Sequence, residues 1–168
     1  MHAPLPDQID VERAVATGRI YAGSFPLANL PRLTSLLAGS DGDVRYELKF
    51  GRNMIGQRMV EMHVETGFPL ICQASLDGFV LPIEIDTRLG FVKDENDDAG
   101  LPEGFEPALT DAGMVSPAAL IEDELILVVP VIPRKPGATV KQPAMESEGE
   151  VVDEKPHPFA ALASLQRK

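Results

Sequence analysis

Three short stretches carry residue types and spacings that chemistry could use. Gly51-Arg-Asn-Met-Ile-Gly56-Gln57-Arg58 has the glycine spacing of a phosphate-cradling loop. It lacks the Lys and the Ser/Thr that touch phosphate and magnesium, and it sits between two predicted strands rather than before a helix. The glycines read better as a hairpin loop. Asp94-Glu-Asn96-Asp-Asp98 has the 1-3-5 oxygen spacing of a calcium loop. Ala99 stands where that loop needs Gly, and Phe105 where it needs a bidentate Glu, so no calcium site is expected. Cys72 is the single cysteine, which excludes an internal disulfide and a Cys₄ or Cys₂His₂ zinc site. Two of the histidines, His2 and His157, lie near the ends, and His63 falls on the polar face of a strand pattern. Glu84 and Asp86 share a sheet face, as an acid/base pair must, but so do most solvent-facing strand carboxylates. No nucleophile, base and orienting acid can be assigned from spacing. The expectation is therefore a protein that is not an enzyme, with no catalytic residues, no metal and no cofactor.

Charge carries more information. Lys and Arg total 15 against 26 Asp and Glu, a net of −11. Ten carboxylates fall between Asp94 and Glu124, with no Lys or Arg among them. A field of that sign repels polyphosphate and attracts basic partners. Glu122, Asp123 and Glu124 are its densest cluster and the candidate partner-binding carboxylates. Against this background Arg45, Lys49, Arg52 and Arg58 form a local basic patch opposed only by Glu47 in that stretch. They are the best candidates for phosphate contact. Tyr46 and Phe50 point to the apolar side, so they are not expected to stack on bases.

The elements that would position these groups follow from periodicity. Asp10 can cap a helix carrying Val11, Ala14 and Val15, with Gly18 as its stop. Ile20 to Phe25 reads as a strand. Pro31 to Leu37 reads as a helix, with Gly39 in the left-handed position after it. Asp43 to Phe50 alternates strictly, and Val60, Met62 and Val64, then Leu70, Cys72 and Ala74, then Phe79 to Phe91 continue the period of two. Such alternation marks antiparallel strands wet on one side. Asp77-Gly78 is a strong hairpin signal and Thr66-Gly67 a weaker one. Residues 94–115 read as an acidic loop. Ser116-Pro117 opens a helix to about Val129, whose apolar second half should be buried; a buried strand is the competing reading of that half.

The fold class expected is α+β: an antiparallel β-meander or small partly closed barrel with about three helices, plus a disordered C-terminal tail. The expected organisation is one folded domain over residues 1–132, a Pro-rich charged linker over 133–157, and an amphipathic motif over 158–168. In that motif Phe159, Leu162 and Leu165 supply an apolar side for docking on a partner or back on the core. No apolar run approaches the ~18 residues of a membrane helix, and the first residues lack the basic and apolar regions of a secretory signal. A cytoplasmic location without membrane contact is the expectation.

Three motifs carry a resemblance. Pro156-His-Pro158-Phe159-Ala-Ala-Leu162-Ala-Ser164-Leu165-Gln-Arg-Lys168 resembles the P-x-P-F-x-x-L-x-x-L tail, with its basic end, of the YceD family. These are the large ribosomal RNA subunit accumulation proteins of bacteria and plastids. Leu120-Ile-Glu122-Asp123-Glu124-Leu125, continuing to Pro130 and Pro133, is similar to the family's IEDE segment. Leu101-Pro-Glu-Gly-Phe-Glu106-Pro107 is similar to its LPE-x-(Y/F)-E-P stretch. The chain departs from relatives that carry C-x-x-C: Ser75 stands in the second place after Cys72, so no zinc or redox role transfers, and a buried thiol is expected. The resemblance implies a non-enzymatic role in the synthesis, processing or stability of 23S rRNA, hence of the large subunit. The net charge favours action through a basic ribosomal protein or assembly factor over direct rRNA contact. The alternative is an acidic adaptor, unrelated to rRNA, that uses its tail as a docking peptide. The sequence leaves the oligomeric state open.

Overall fold

The computed structural model describes residues 5–94 and 100–137. Alternation becomes a five-stranded sheet in which β2 (Ile20–Pro26), β3 (Asp43–Arg52), β4 (Arg58–Ile71) and β5 (Gly78–Val92) run antiparallel in that order. A fifth strand, β6 (Glu106–Leu109), lies parallel to β5 at the far edge, and the sheet does not close. A two-residue ladder joins β1 (Ile9–Asp10) to β7 (Met114–Val115).

One sheet face is apolar and covered. Val44, Tyr46, Leu48 and Phe50 of β3, Val60, Met62, Val64 and Phe68 of β4, and Leu89 and Phe91 of β5 are all buried. They share one core with Val11, Ala14 and Val15 of α1 (Val11–Ala16), Leu33 of α2 (Pro31–Thr34), and Leu120, Ile121 and Leu125 of α3 (Pro117–Leu127). Helices on one face of a largely antiparallel sheet make the α+β class expected from sequence.

Two helix starts are legible in the residues themselves. Asp10 accepts a hydrogen bond from the Arg13 N–H, and Ser116 accepts one from Ala119 with Pro117 behind it. The first helix also ends as its sequence implies. Gly18, at φ 57°, lets its own N–H reach Val15 O and the Arg19 N–H reach Ala14 O, the two bonds of a Schellman motif.

Several expectations are corrected. Thr66-Gly67 is not a turn: β4 runs unbroken through it, pairing Thr66 with Ile83 and Gly67 with Pro82. Gly67 serves close approach instead, because a Cβ there would lie 2.7 Å from Val80 Cγ1. Asp77-Gly78 is not the hairpin turn either. The chain reverses over residues 72–77, closed by Cys72 N–H to Asp77 O at 2.9 Å and Leu76 N–H to Cys72 O at 2.8 Å. The positive φ (61°) falls on Leu76. The run read as an acidic loop contains β6 and β7. Helix α2 stops at Thr34, Gly39 is not left-handed, and the Ala38 N–H turns to Pro69 O. The apolar end of α3 is helical, not a strand, and is only half covered: Leu125 is buried, whereas Leu127 is 72% exposed. The start of the expected linker is held as well, since Gln73 N–H donates to Pro133 O at 2.9 Å.

Leu76 offers a stability test. A non-glycine residue in the left-handed region costs roughly 1 kcal/mol, and this side chain is 74% exposed, so it returns little packing. Leu76→Gly is expected to raise stability by about 0.5–1 kcal/mol despite the added unfolded-state entropy. Urea denaturation checks this, and a lowered midpoint would contradict it.

Candidate functional site

The basic quartet does not form one patch. Arg45 and Lys49 project from the uncovered face of the sheet, where strand register builds a three-by-three array of polar groups. Arg45, Glu65 and Glu84 stand abreast, then Glu47, His63 and Asp86, then Lys49, Glu61 and Arg88. Arg52 and Arg58 pair across the β3–β4 hairpin end and reach toward α1 instead.

Every cation of the quartet meets a carboxylate. Arg45 Nη1 is 3.4 Å from Glu65, Lys49 Nζ is 2.6 Å from Glu47, and Arg52 and Arg58 share Glu12 at 2.9 and 3.2 Å. Such exposed pairs contribute about 0–1 kcal/mol each. Arg45 and Lys49 are thereby neutralised one to one, whereas Arg52 and Arg58 share a single carboxylate and keep one positive charge between them. The Glu47 hydrogen bond and charge hold Lys49 above its ordinary pKa.

His63 sits at the centre of the array. Its Nδ1 lies 2.8 Å from Asp86 and its Nε2 3.5 Å from Glu65. Asp86 foremost, and then Glu65 against some desolvation, raises its pKa above the ordinary value. His63, Glu65 and Glu84 place donor atoms within 4.8 Å of one another. With Arg45 on Glu65 and Asp86 on the imidazole, they form part of the same charge lattice.

The acidic cluster divides by burial. Glu122 is buried, at 5% exposure. Its Oε1 accepts the N–H groups of Arg32 (2.7 Å) and Leu33 (3.1 Å), and its Oε2 accepts Arg32 Nε at 2.8 Å. The reason lies in α2, which begins at Leu30-Pro31 with no side-chain cap of its own. Its first N–H groups need acceptors, and a carboxylate from α3 supplies them. Glu122 thus faces inward, a correction to its reading as a partner-binding residue. Asp123 is exposed and pairs with Arg32 Nη1 at 2.7 Å. Glu124 is half-buried. Burial first, then the charges of Glu106 and Asp123, raise its pKa to about 7. Asp123 and Glu124 are therefore the members of the cluster that a partner can reach. The sequence signal for the cap was present: a helix opening on Leu-Pro must find its acceptor elsewhere.

Cys72 is buried, as expected, but it is not a plain thiol. Its Sγ accepts the Lys135 N–H at 3.4 Å. The nearby Ser75 hydroxyl foremost, and then the N–H groups of Lys135, Ser75 and Ala74, lower its pKa to about 6. It ties the β4–β5 loop to the segment leaving α3. Beside this junction stand exposed apolar side chains: Ile71, Leu76, Val131 and Ile132.

Phe159, Leu162 and Leu165 lie outside the described residues, as do Asn96 and Asp98 of the calcium-like stretch. Among the described residues no helix is long and apolar enough to cross a membrane.

Residues 60–166 match the model of the family described as large ribosomal RNA subunit accumulation protein YceD. The chain is also similar to the large ribosomal RNA subunit accumulation protein YceD of Haemophilus influenzae. The two are 28% identical over 171 residues, covering 98% of this chain and 97% of that protein. No solved structure matches the chain.

Proposed function

The chain belongs to the YceD family, and from that premise we propose that it supports the accumulation of 23S rRNA and of the large ribosomal subunit. The similarity to the Haemophilus influenzae protein carries this reading, because it runs over nearly the whole of both chains. The role proposed is non-enzymatic: the protein binds and escorts, and makes or breaks no covalent bond. A basic ribosomal protein or assembly factor is the proposed partner. Two observations support that choice. The cations of the β3–β4 region all meet carboxylates, with Arg52 and Arg58 sharing one, and the net charge is −11. A surface of that kind meets a cationic protein more readily than bare RNA. Residues 1–132 serve as the folded body and residues 133–157 as a tether. Phe159, Leu162 and Leu165 serve as the apolar anchor, with Asp123 and Glu124 as the polar contacts.

Deletion of the gene tests the function. The expected result is a fall in 23S rRNA relative to 16S rRNA and fewer free and assembled large subunits in a sucrose gradient. Unchanged profiles would sink the proposal. Affinity capture from lysate tests the partner, using the full chain, a chain ending at Val152, and Phe159→Ala. Ribosomal proteins or assembly factors should survive RNase treatment and be lost from the last two baits. Loss of all capture on RNase treatment would replace the protein partner by RNA.

A further inference from the structure

Positive charge also stands outside the expected basic patch. Arg13 and Arg19 meet no carboxylate within salt-bridge reach among the described residues. Both are exposed, and both line one concavity of about 460 Å³. They lie six positions apart in sequence, and the Schellman turn at Gly18 folds the second back beside the first. The Arg19 guanidinium lies 5.5 Å from the centroid of the Tyr21 ring, which restrains it. Tyr21 lines the same concavity, with Gln8 and Thr17 adding polar groups. Asp10 is the one carboxylate in the lining, and its Oδ1 accepts the Arg13 N–H as the helix cap.

Two uncompensated arginines beside a partly exposed aromatic ring form the arrangement that single-stranded RNA uses. Guanidinium groups take phosphate oxygens, while a ring or guanidinium plane receives a base. We propose that the Arg13–Arg19–Tyr21 concavity is a contact site for single-stranded RNA, seating one or two nucleotides by their phosphates. This rests on the ribosomal reading above for its biological meaning, and the protein partner remains the main anchor. The site is small, and the chain as a whole carries a net charge of −11. It acts once docking has brought rRNA close, when a weak contact gains from effective concentration.

Fluorescence anisotropy of the full chain with a short labelled oligouridine in low salt tests the site. The expected result is weak saturable binding whose log K falls with log[salt] at a slope of about −1.4, as two phosphates on a single strand imply. Arg13→Gln with Arg19→Gln should weaken binding about tenfold or more and flatten that slope. Arg52→Gln, outside the concavity and already held by Glu12, should change it little. Circular dichroism confirms that the variants fold, as exposed side chains allow. No binding by the native chain, equal binding by the double variant, or retention of an acidic protein through these arginines without any RNA shift would overturn the site. Cells carrying the double variant separate the two readings. If they keep normal 23S rRNA while the deletion strain loses it, the contact site fails and the ribosomal role stands. If oligouridine binding depends on both arginines while the deletion strain has normal 23S rRNA, the site stands and the ribosomal role fails.

Discussion

Glu122→Ala is expected to destabilise the fold by about 3 kcal/mol, the usual result of removing one partner from a buried charged hydrogen-bond set. The loss has three parts. The Arg32 and Leu33 N–H groups at the start of α2 lose their acceptor, the Arg32 guanidinium loses one of its two carboxylate partners on α3, and the junction of the two helices loosens. An unsatisfied buried donor costs about 1–3 kcal/mol. At about 2–4 °C per kcal/mol for a chain of this size, the melting temperature should fall by roughly 10 °C. Glu122→Gln keeps an acceptor oxygen for the N–H groups and should lose about half as much. Asp123→Ala removes only an exposed pair with Arg32 and should cost under about 1 kcal/mol. Equal melting temperatures for Glu122→Ala and Asp123→Ala would refute the capping role.

Glu124→Gln is expected to do the opposite. Burial, with Glu106 and Asp123 nearby, raises the Glu124 pKa from 4.5 to about 7. The folded state therefore favours the neutral carboxyl. Below the unfolded pKa both states are protonated and no penalty arises. As the pH climbs from about 4.5 to 7, the folded protein must ionise a group the unfolded chain ionises freely, and it loses stability. Full conversion of that shift would be about 3–4 kcal/mol, and partial exposure reduces it to about 2 kcal/mol. Denaturation series should show Glu124→Gln equal to the native chain at pH 4 and about 2 kcal/mol more stable at pH 8. Parallel profiles for the two proteins would contradict this. The same shift gives the partner proposal a signature. Lys or Arg arriving beside Glu124 lowers its pKa again, so docking at neutral pH releases a proton. Calorimetry in buffers of different ionisation enthalpy would detect it.

Much of the body was legible because period two is a strong signal when one sheet face is dry. The parity from Val44 to Phe50 and from Leu81 to Phe91 reads directly as the buried face. Even the error at Thr66-Gly67 had a remedy in the residues. The apolar set keeps even numbers from Val60 through Phe68 to Cys72, as one continuous strand requires. Strand β6 was less accessible. It has four residues, contains Pro107, and buries only Ala108. Proline is tolerated because an edge strand has a side with no ladder to complete. The site residues suffered most from long-range pairing. Arg52 and Arg58 look uncompensated until Glu12 arrives from α1, and Glu122 looks like surface charge until α2 is placed beneath it. Local counting cannot see a neutralising group forty or ninety residues away, whereas tertiary structure sets it within 3.2 Å.

The pairing of Arg32 with Glu122 has a temporal side during synthesis. The acceptors for α2 lie about ninety residues downstream, and β1 waits for its partner strand at Met114–Val115. At roughly 5–20 residues per second, the first third of the nascent chain stands without its closing pieces for several seconds or more. Through that interval Leu27, Leu30 and Leu33 lack Leu120, Ile121 and Leu125 of the core they share. The N-terminal segment is therefore expected to reach its final packing only after α3 has emerged and can dock.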